Sequence, residues 1–224
     1  MTEPQKLIEY LKEFVFEERY SNFQTILENR TRYITVVLED IFQSHNASAV
    51  LRSCECLGIQ DVHLIENKYS FEVHPDIVLG SSKWLSLHRY SKKPNNTIDC
   101  LKALKKKGYS IVATSPHVNG YNPSSLPIKK PIALVFGTEL EGLTNEAIEQ
   151  ADHFLQIPML GFTESFNISV SAAICLYHLS LRIRNSDSIN WHLETHEKDL
   201  ILLDWLKKSI KNPGPIIKMF EKGY

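Results

Sequence analysis

From about residue 33 onward, short β-branched runs alternate with helix-patterned stretches, and this alternation constrains the fold more than any other feature of the chain. The runs are YITVVLED, DVHLIEN, YSIVATSP, PIALVFG and HFLQIPM; between them lie a helical stretch at residues 46–57, TIDCLKALKKKG and LTNEAIEQAD. Helical crossovers of this length join parallel strands and cover the sheet, so its strands should be apolar on both faces. The expected class is α/β, with a mostly parallel sheet and helices on both faces.

Outside this block the pattern changes. Residues 4–19 mix both charges and place Leu7, Tyr10, Leu11 and Phe14 on one side of a helix. After NISVSAAICLYHLSLRIR the composition turns polar, and a last amphipathic stretch, DLILLDWLKKSIK, should be stopped by Asn212-Pro213-Gly214-Pro215. The expected organisation is a helical extension at 1–32, one α/β domain at 33–185 and a helical tail at 186–224. At 224 residues, 43% hydrophobic and 23% charged, the chain can build one sizeable core with terminal additions.

The sequence holds no apolar run of about 18 residues, and its first residues mix charges. A cytoplasmic protein with no membrane partner is expected. A net charge of -1 argues against a chain that is basic all over, and no DNA partner is expected. Local clusters at Lys92-Lys93, Lys102 with Lys105-Lys106-Lys107, Lys129-Lys130, Arg182/Arg184 and Lys207-Lys208-Lys211 could still meet RNA phosphates. Cys54, Cys56, Cys100 and Cys175 lack zinc or redox spacing and read as free buried thiols. No metal site is expected, because the nine histidines form neither H-x-x-x-H nor H-E-x-x-H.

In an open parallel sheet, ligands bind beyond the carboxyl ends of the strands. Three segments lie there: Thr114-Ser115-Pro116, Gly137 to Gly142 (GTELEG) and Ile157 to Ala173 (IPMLGFTESFNISVSAA). Neither G-x-G-x-x-G nor G-x-x-x-x-G-K-[ST] is present, so the usual nucleotide readings lose their main support. Glu139 follows an apolar strand and could orient a cation or cap a helix. Ser165 and Asn167 precede a helix with small first turns, which suits an N-cap as well as a ligand pocket. In the 46–57 helix, Ala47, Val50, Leu51, Cys54 and Leu57 form the buried stripe, and Arg52 points the other way among small neighbours, Ser48, Ala49, Ser53 and Cys56. Asn46, at the helix entry, could be its N-cap.

The segments HNASAVLRSCECLG, IALVFGTELEGLTNEAIEQAD and IPMLGFTESFNISVSAAI resemble, in order and spacing, the three motifs of the SpoU branch of the SPOUT-superfamily RNA 2′-O-ribose methyltransferases. The likeness covers roughly residues 33–184 and is nearest to the TrmH-type tRNA guanosine enzymes; GSSKW (Gly80 to Trp84) fits as well. It implies a C-terminal deep trefoil knot, a homodimer with the active site near the subunit interface, and S-adenosylmethionine bound bent in the knotted loops. By motif position, the cofactor would meet Thr114, Gly137, Ile157 and Phe166, with Glu139 nearby. Arg52 would be catalytic, Asn46 would place it or the ribose, and Ser165 and Asn167 would shape the pocket. Phe166 stands where leucine is common in the family; a backbone contact should tolerate the change.

The resemblance implies methylation of a tRNA guanosine at D-loop position 18. An rRNA methyltransferase and a non-catalytic RNA-binding module are the alternatives, and a nicotinamide-dependent oxidoreductase is disfavoured by the missing glycine fingerprint. A guanidinium, with a pKa above about 12, is a reluctant base. Arg52 would act either by stabilising a developing alkoxide or by losing its proton only when buried against cofactor and RNA.

Overall fold

The structure is a computed structural model and describes residues 2–70, 80–93 and 95–223. Two compact units are present, Thr31–Trp191 and the paired termini Met1–Arg30 with His192–Tyr224.

In the larger unit, six parallel strands, β1 (Ile34–Glu39), β2 (Asp61–Ile65), β3 (Ser86–Tyr90), β4 (Ser110–Thr114), β5 (Ile132–Phe136) and β6 (His153–Leu155), stand in the order β3-β2-β1-β5-β4-β6. The chain builds outward from β1 to β3, crosses to β4, and then inserts β5 between β1 and β4. The carboxyl ends of β1, β5, β4 and β6 therefore lie side by side at the point where the winding reverses.

Alternation along β1 sets the two faces. Ile34, Val36 and Leu38 pack with residues of α3 (Ser44–Cys56) and α6 (Ile168–Arg184), including Val50, Leu51, Ala172 and Leu176. Val37 packs on the other side with Cys100, Leu101 and Leu104 of α4 (Asn96–Lys106) and Ala147 of α5 (Asn145–Gln150). β1, β2 and β5 are buried along their whole length, as a sheet covered on both faces requires. The α/β reading and the predicted strands hold; SLHRY, now β3, escapes prediction because it is short, half-buried and polar at Ser86, His88 and Arg89.

On the α4 face, His63 stacks on His88 with centroids 4.6 Å apart. Burial, with the neighbouring charges of His88 and Lys107, drives His63 down to about 3, against the pull of Asp61. Burial also opposes ionisation of Asp61, but His88 Nε2 at 3.2 Å and Arg32 Nε at 2.9 Å outweigh it and hold the carboxyl below its usual range. Tyr90 completes the group, its hydroxyl 3.3 Å from His63 Nδ1. Because His63 binds its proton more weakly folded than unfolded, its contribution is intact above pH ~6.5 and is lost as pH falls toward ~3, by up to ~1.4 kcal/mol per pH unit. Urea unfolding from pH 7 to 4 should show that loss, and His63→Phe should flatten it.

The terminal unit contains α1 (Glu3–Leu11), α2 (Glu17–Leu27), α7 (Thr195–Ser209) and α8 (Pro213–Glu221). Its centre is Trp205, 1% exposed, with Phe23 edge-on at 5.6 Å and the Arg30 guanidinium 5.3 Å from the ring centre. Four expectations need correction. The helix foreseen over 4–19 ends at Leu11, since Val15 and Phe16 are extended and α2 starts afresh; Leu11 is buried as expected, but Ile8 rather than Leu7 is buried beside it, and Phe14 is exposed. The helix over DLILLDWLKKSIK does stop before Pro213, at Ser209, but it is not the last one: Pro213 begins α8, because the first helical position lacks an intrahelical N–H partner anyway. Cys56 is exposed, while the other three thiols are buried. Ser48, expected as a small neighbour beside Arg52, is fully buried and does not line the groove that holds Arg52.

Candidate active site

Gly137 immediately follows β5, where the chain must fold back on itself. Thr138 and Gly142 exchange backbone hydrogen bonds of 3.0 and 3.1 Å, with Gly142 at φ 72°. A Cβ on Gly137 would lie 2.2 Å from the Gly142 carbonyl oxygen, so no other residue fits there without moving backbone. This turn forms one wall of a cavity of about 390 Å³. Thr114, at the end of β4, forms another, its hydroxyl anchored on the Val135 carbonyl at 2.8 Å. The segment after β6 and the start of α6 close it with Ile157, Met159, Ser165 and Phe166.

The walls pair apolar surface (Ile157, Phe166, Leu143) with a few polar groups (Thr114, Ser165, Glu139), the composition of a site for one organic cofactor, typically about 300–1,000 Å³. The residues fit S-adenosylmethionine: apolar walls for a purine, hydroxyls and backbone for polar groups, and carboxylates (Glu139, Glu141) near a cation.

At the cavity mouth, Asn46 joins the three sequence segments. Its Nδ2 donates to Glu139 and, at 2.8 Å, to Gln43; its Oδ1 accepts from Asn167 Nδ2 at 3.0 Å. Asn167 caps α6, accepting from Ser169 N at 2.9 Å. Asn46 is not a cap, since Gln43 holds that position on α3. Six of the nine residues picked out from sequence line the cavity (Thr114, Gly137, Glu139, Ile157, Ser165 and Phe166), and Asn46 and Asn167 are tied to it through Glu139.

Arg52 is not in that cavity. It is exposed in an open groove of about 470 Å³ between α3 and α6, lined by Ala49, Ser53, Cys56, Ala173 and Tyr177. Among the described residues it has no hydrogen-bond or ion-pair partner. Arg182 and Arg184, foreseen as phosphate contacts, are instead bound to backbone: Arg182 donates to the Pro123 and Leu126 carbonyls at 2.7 and 2.9 Å, and Arg184 lies 4.2 Å from the Trp191 ring centre. Burial lowers both guanidinium pKa values.

Sequence reading missed Glu39. Buried at the carboxyl end of β1, it accepts from Thr97 Oγ1 at 2.5 Å, Thr144 Oγ1 at 2.7 Å and Thr144 N at 2.9 Å, fixing the start of α5 behind the Gly137 turn. An acid ending an apolar strand was the available signal. No cluster able to hold a metal ion occurs among the described residues, and no helix there is long and apolar enough to cross a membrane.

The profile of the SpoU rRNA Methylase family matches residues 33–177. The chain belongs to the SpoU family. Among its SpoU relatives, the tRNA (guanosine(18)-2′-O)-methyltransferase of Borreliella burgdorferi is 45% identical over 207 residues, 92% of this chain and 93% of the relative. The crystal structure of the A. aeolicus TrmH/SpoU tRNA-modifying enzyme superposes with a TM-score of 0.77 at 29% identity, covering 87% of this chain and 98% of that one. The SpoU methyltransferase AviRb of Streptomyces viridochromogenes, solved with AdoMet, shares the fold at TM-score 0.59 and 23% identity, over 72% of this chain and 62% of that one.

Proposed function

We propose that this chain methylates the 2′-hydroxyl of a tRNA guanosine, at D-loop position 18, using S-adenosylmethionine held in the 390 Å³ cavity, and that it works as a cytoplasmic homodimer with its C-terminal segment knotted around the cofactor. The observation that carries the reading is the Asn46–Glu139–Asn167 hydrogen-bonded set, which joins all three family segments at the mouth of one cofactor-sized cavity.

The cofactor, when bound, supplies a methyl already activated on a sulfonium. The chain must then position the ribose oxygen in line and ease the departure of its proton. Gly137 allows the 138–142 turn to close tightly and shape the cavity wall, and Ile157 and Phe166 would give apolar walls to the cofactor's apolar parts. Glu139, held by Asn46, would supply negative charge to a cavity that takes a cationic cofactor. Arg52 would stabilise the oxygen as its proton passes to solvent water and would hold the adjoining phosphate, which its small neighbours Ala49, Ser53 and Ala173 leave room to approach. In the proposed homodimer the groove carrying Arg52 would meet the partner subunit and complete the site; sedimentation equilibrium should return twice the chain mass.

RNA affinity should depend on salt through the exposed lysines Lys102, Lys106, Lys107, Lys129 and Lys130. Three or four phosphate contacts would weaken binding by about 30- to 150-fold between ~50 and ~200 mM salt. Filter binding to unmodified tRNA measures this, and a flat profile would remove the lysines from the interface. The test of function is labelled S-adenosylmethionine with unmodified tRNA, followed by digestion to nucleosides: label in 2′-O-methylguanosine supports the reading, and binding without transfer would leave only an RNA-binding module.

A further inference from the structure

Beside the cavity mouth stands an aromatic pair that the chemistry above does not use. Phe42 is 70% exposed and Tyr69 41% exposed, and the two rings meet edge to face with centroids 4.9 Å apart. Exposed rings of this size are disfavoured in water unless something covers them, yet both are held firmly in place. Asp40, at φ 52°, fixes both segments: it lies two residues before Phe42, and its Oδ1 accepts from the N–H groups of Asn67 at 2.7 Å, Lys68 at 2.8 Å and Tyr69 at 3.4 Å. Lys68 then reaches Glu141 of the cavity-lining turn at 2.6 Å. Phe42 immediately precedes Gln43, the α3 cap that accepts from Asn46. The pair is thus tied on both sides to the rim where the ribose would enter.

We propose that Phe42 and Tyr69 form a stacking platform for an unpaired base of the RNA substrate, adjacent to the nucleotide being methylated; this rests on the RNA ribose methyltransferase reading. A ribose can reach the cavity only if its nucleotide leaves the RNA stack, and single-stranded RNA regains that lost stacking on aromatic faces. An edge-to-face pair leaves ring faces free for a third plane. Two rings are far too little surface for a stable protein partner, which needs roughly 1,200 Å² or more in total. Their neighbours are the polar or charged Gln43, Lys68 and Glu141, which suits a base flanked by phosphates better than an apolar protein face.

The test uses the full-length protein with a tRNA transcript carrying 2-aminopurine next to the target guanosine, and the variants Phe42→Ala, Tyr69→Ala and Phe42→Trp. Phe42→Ala should weaken RNA binding about tenfold and abolish the fluorescence quench seen in the wild-type complex; Tyr69→Ala should do so in part, and Phe42→Trp should retain both. S-adenosylmethionine affinity, melting midpoint and dimer mass should match wild type in all three. Unchanged RNA affinity and quench in Phe42→Ala would overturn the proposal. So would a parallel loss of cofactor affinity or stability, which assigns the pair to folding, or dissociation of the dimer, which assigns it to a subunit contact. A wild-type protein that methylates no RNA refutes the underlying reading, whereas an active wild type with indifferent variants refutes the platform alone.

Discussion

Arg52→Ala is expected to lower kcat for RNA methylation by about a hundredfold or more, at near-normal affinity for S-adenosylmethionine. The asymmetry follows from placement: Arg52 lies outside the cofactor cavity, exposed in the α3–α6 groove. Folding should be unaffected, since the side chain has no hydrogen-bond or ion-pair partner among the described residues. On the proposed mechanism, the substitution removes a positive group from an oxygen that becomes more negative during transfer, worth about 3–4 kcal/mol in comparable sites. Arg52→Lys should recover only part of this, since an ammonium lacks the fork that spans ribose and phosphate together. Single-turnover methylation with a cofactor titration measures both quantities, and wild-type turnover in Arg52→Ala would remove the residue from the mechanism.

Gly137→Ala should cost the protein both cofactor binding and stability. The added Cβ would meet three backbone atoms, the oxygen and carbon of Gly142 at 2.2 and 2.4 Å and the nitrogen of Leu143 at 2.6 Å, none of which can swing aside like a side-chain tip. The Thr138–Gly142 pair must open, and the turn that lines the cavity shifts with it. Overpacking of this kind costs about 1–3 kcal/mol, a fall of about 2–10 °C in Tm for a chain of this size. S-adenosylmethionine affinity should drop at least about tenfold. Gly161→Ala is the matched control, because a Cβ there meets nothing within 4 Å. Calorimetry on both variants checks the pair; equal behaviour would mean the Gly137 turn does not shape the cofactor site.

The α/β class was legible because strands buried on both faces are mostly apolar, as YITVVLED and PIALVFG are; DVHLIEN is the weaker case, since it buries Asp61 and His63 beside Val62, Leu64 and Ile65. The buried stripe of α3 was legible for the same reason: Ala47, Val50, Leu51 and Cys54 recur at helical spacing, and all four are fully buried. The terminal helices were harder to place. Val15 and Pro213 act through local backbone geometry, which hydrophobic periodicity does not register, so one helix was drawn too long and another missed. At the site, segments far apart in sequence pointed to the right loops, but the bonds among Asn46, Glu139 and Asn167 depend on three chain ends meeting, which only the fold specifies. Arg182 and Arg184 show the reverse failure: their charge suggested phosphate, while the nearest acceptors are the protein's own carbonyls.

The most direct measurement is the position of the methyl group itself. Unmodified tRNA transcripts incubated with the protein and S-adenosylmethionine should gain one 2′-O-methyl on the guanosine at D-loop position 18, seen by mass spectrometry of nuclease fragments and by loss in a transcript with 2′-deoxyguanosine there. A methyl found on a base, or an RNA left unmethylated by protein that binds the cofactor, would contradict the account.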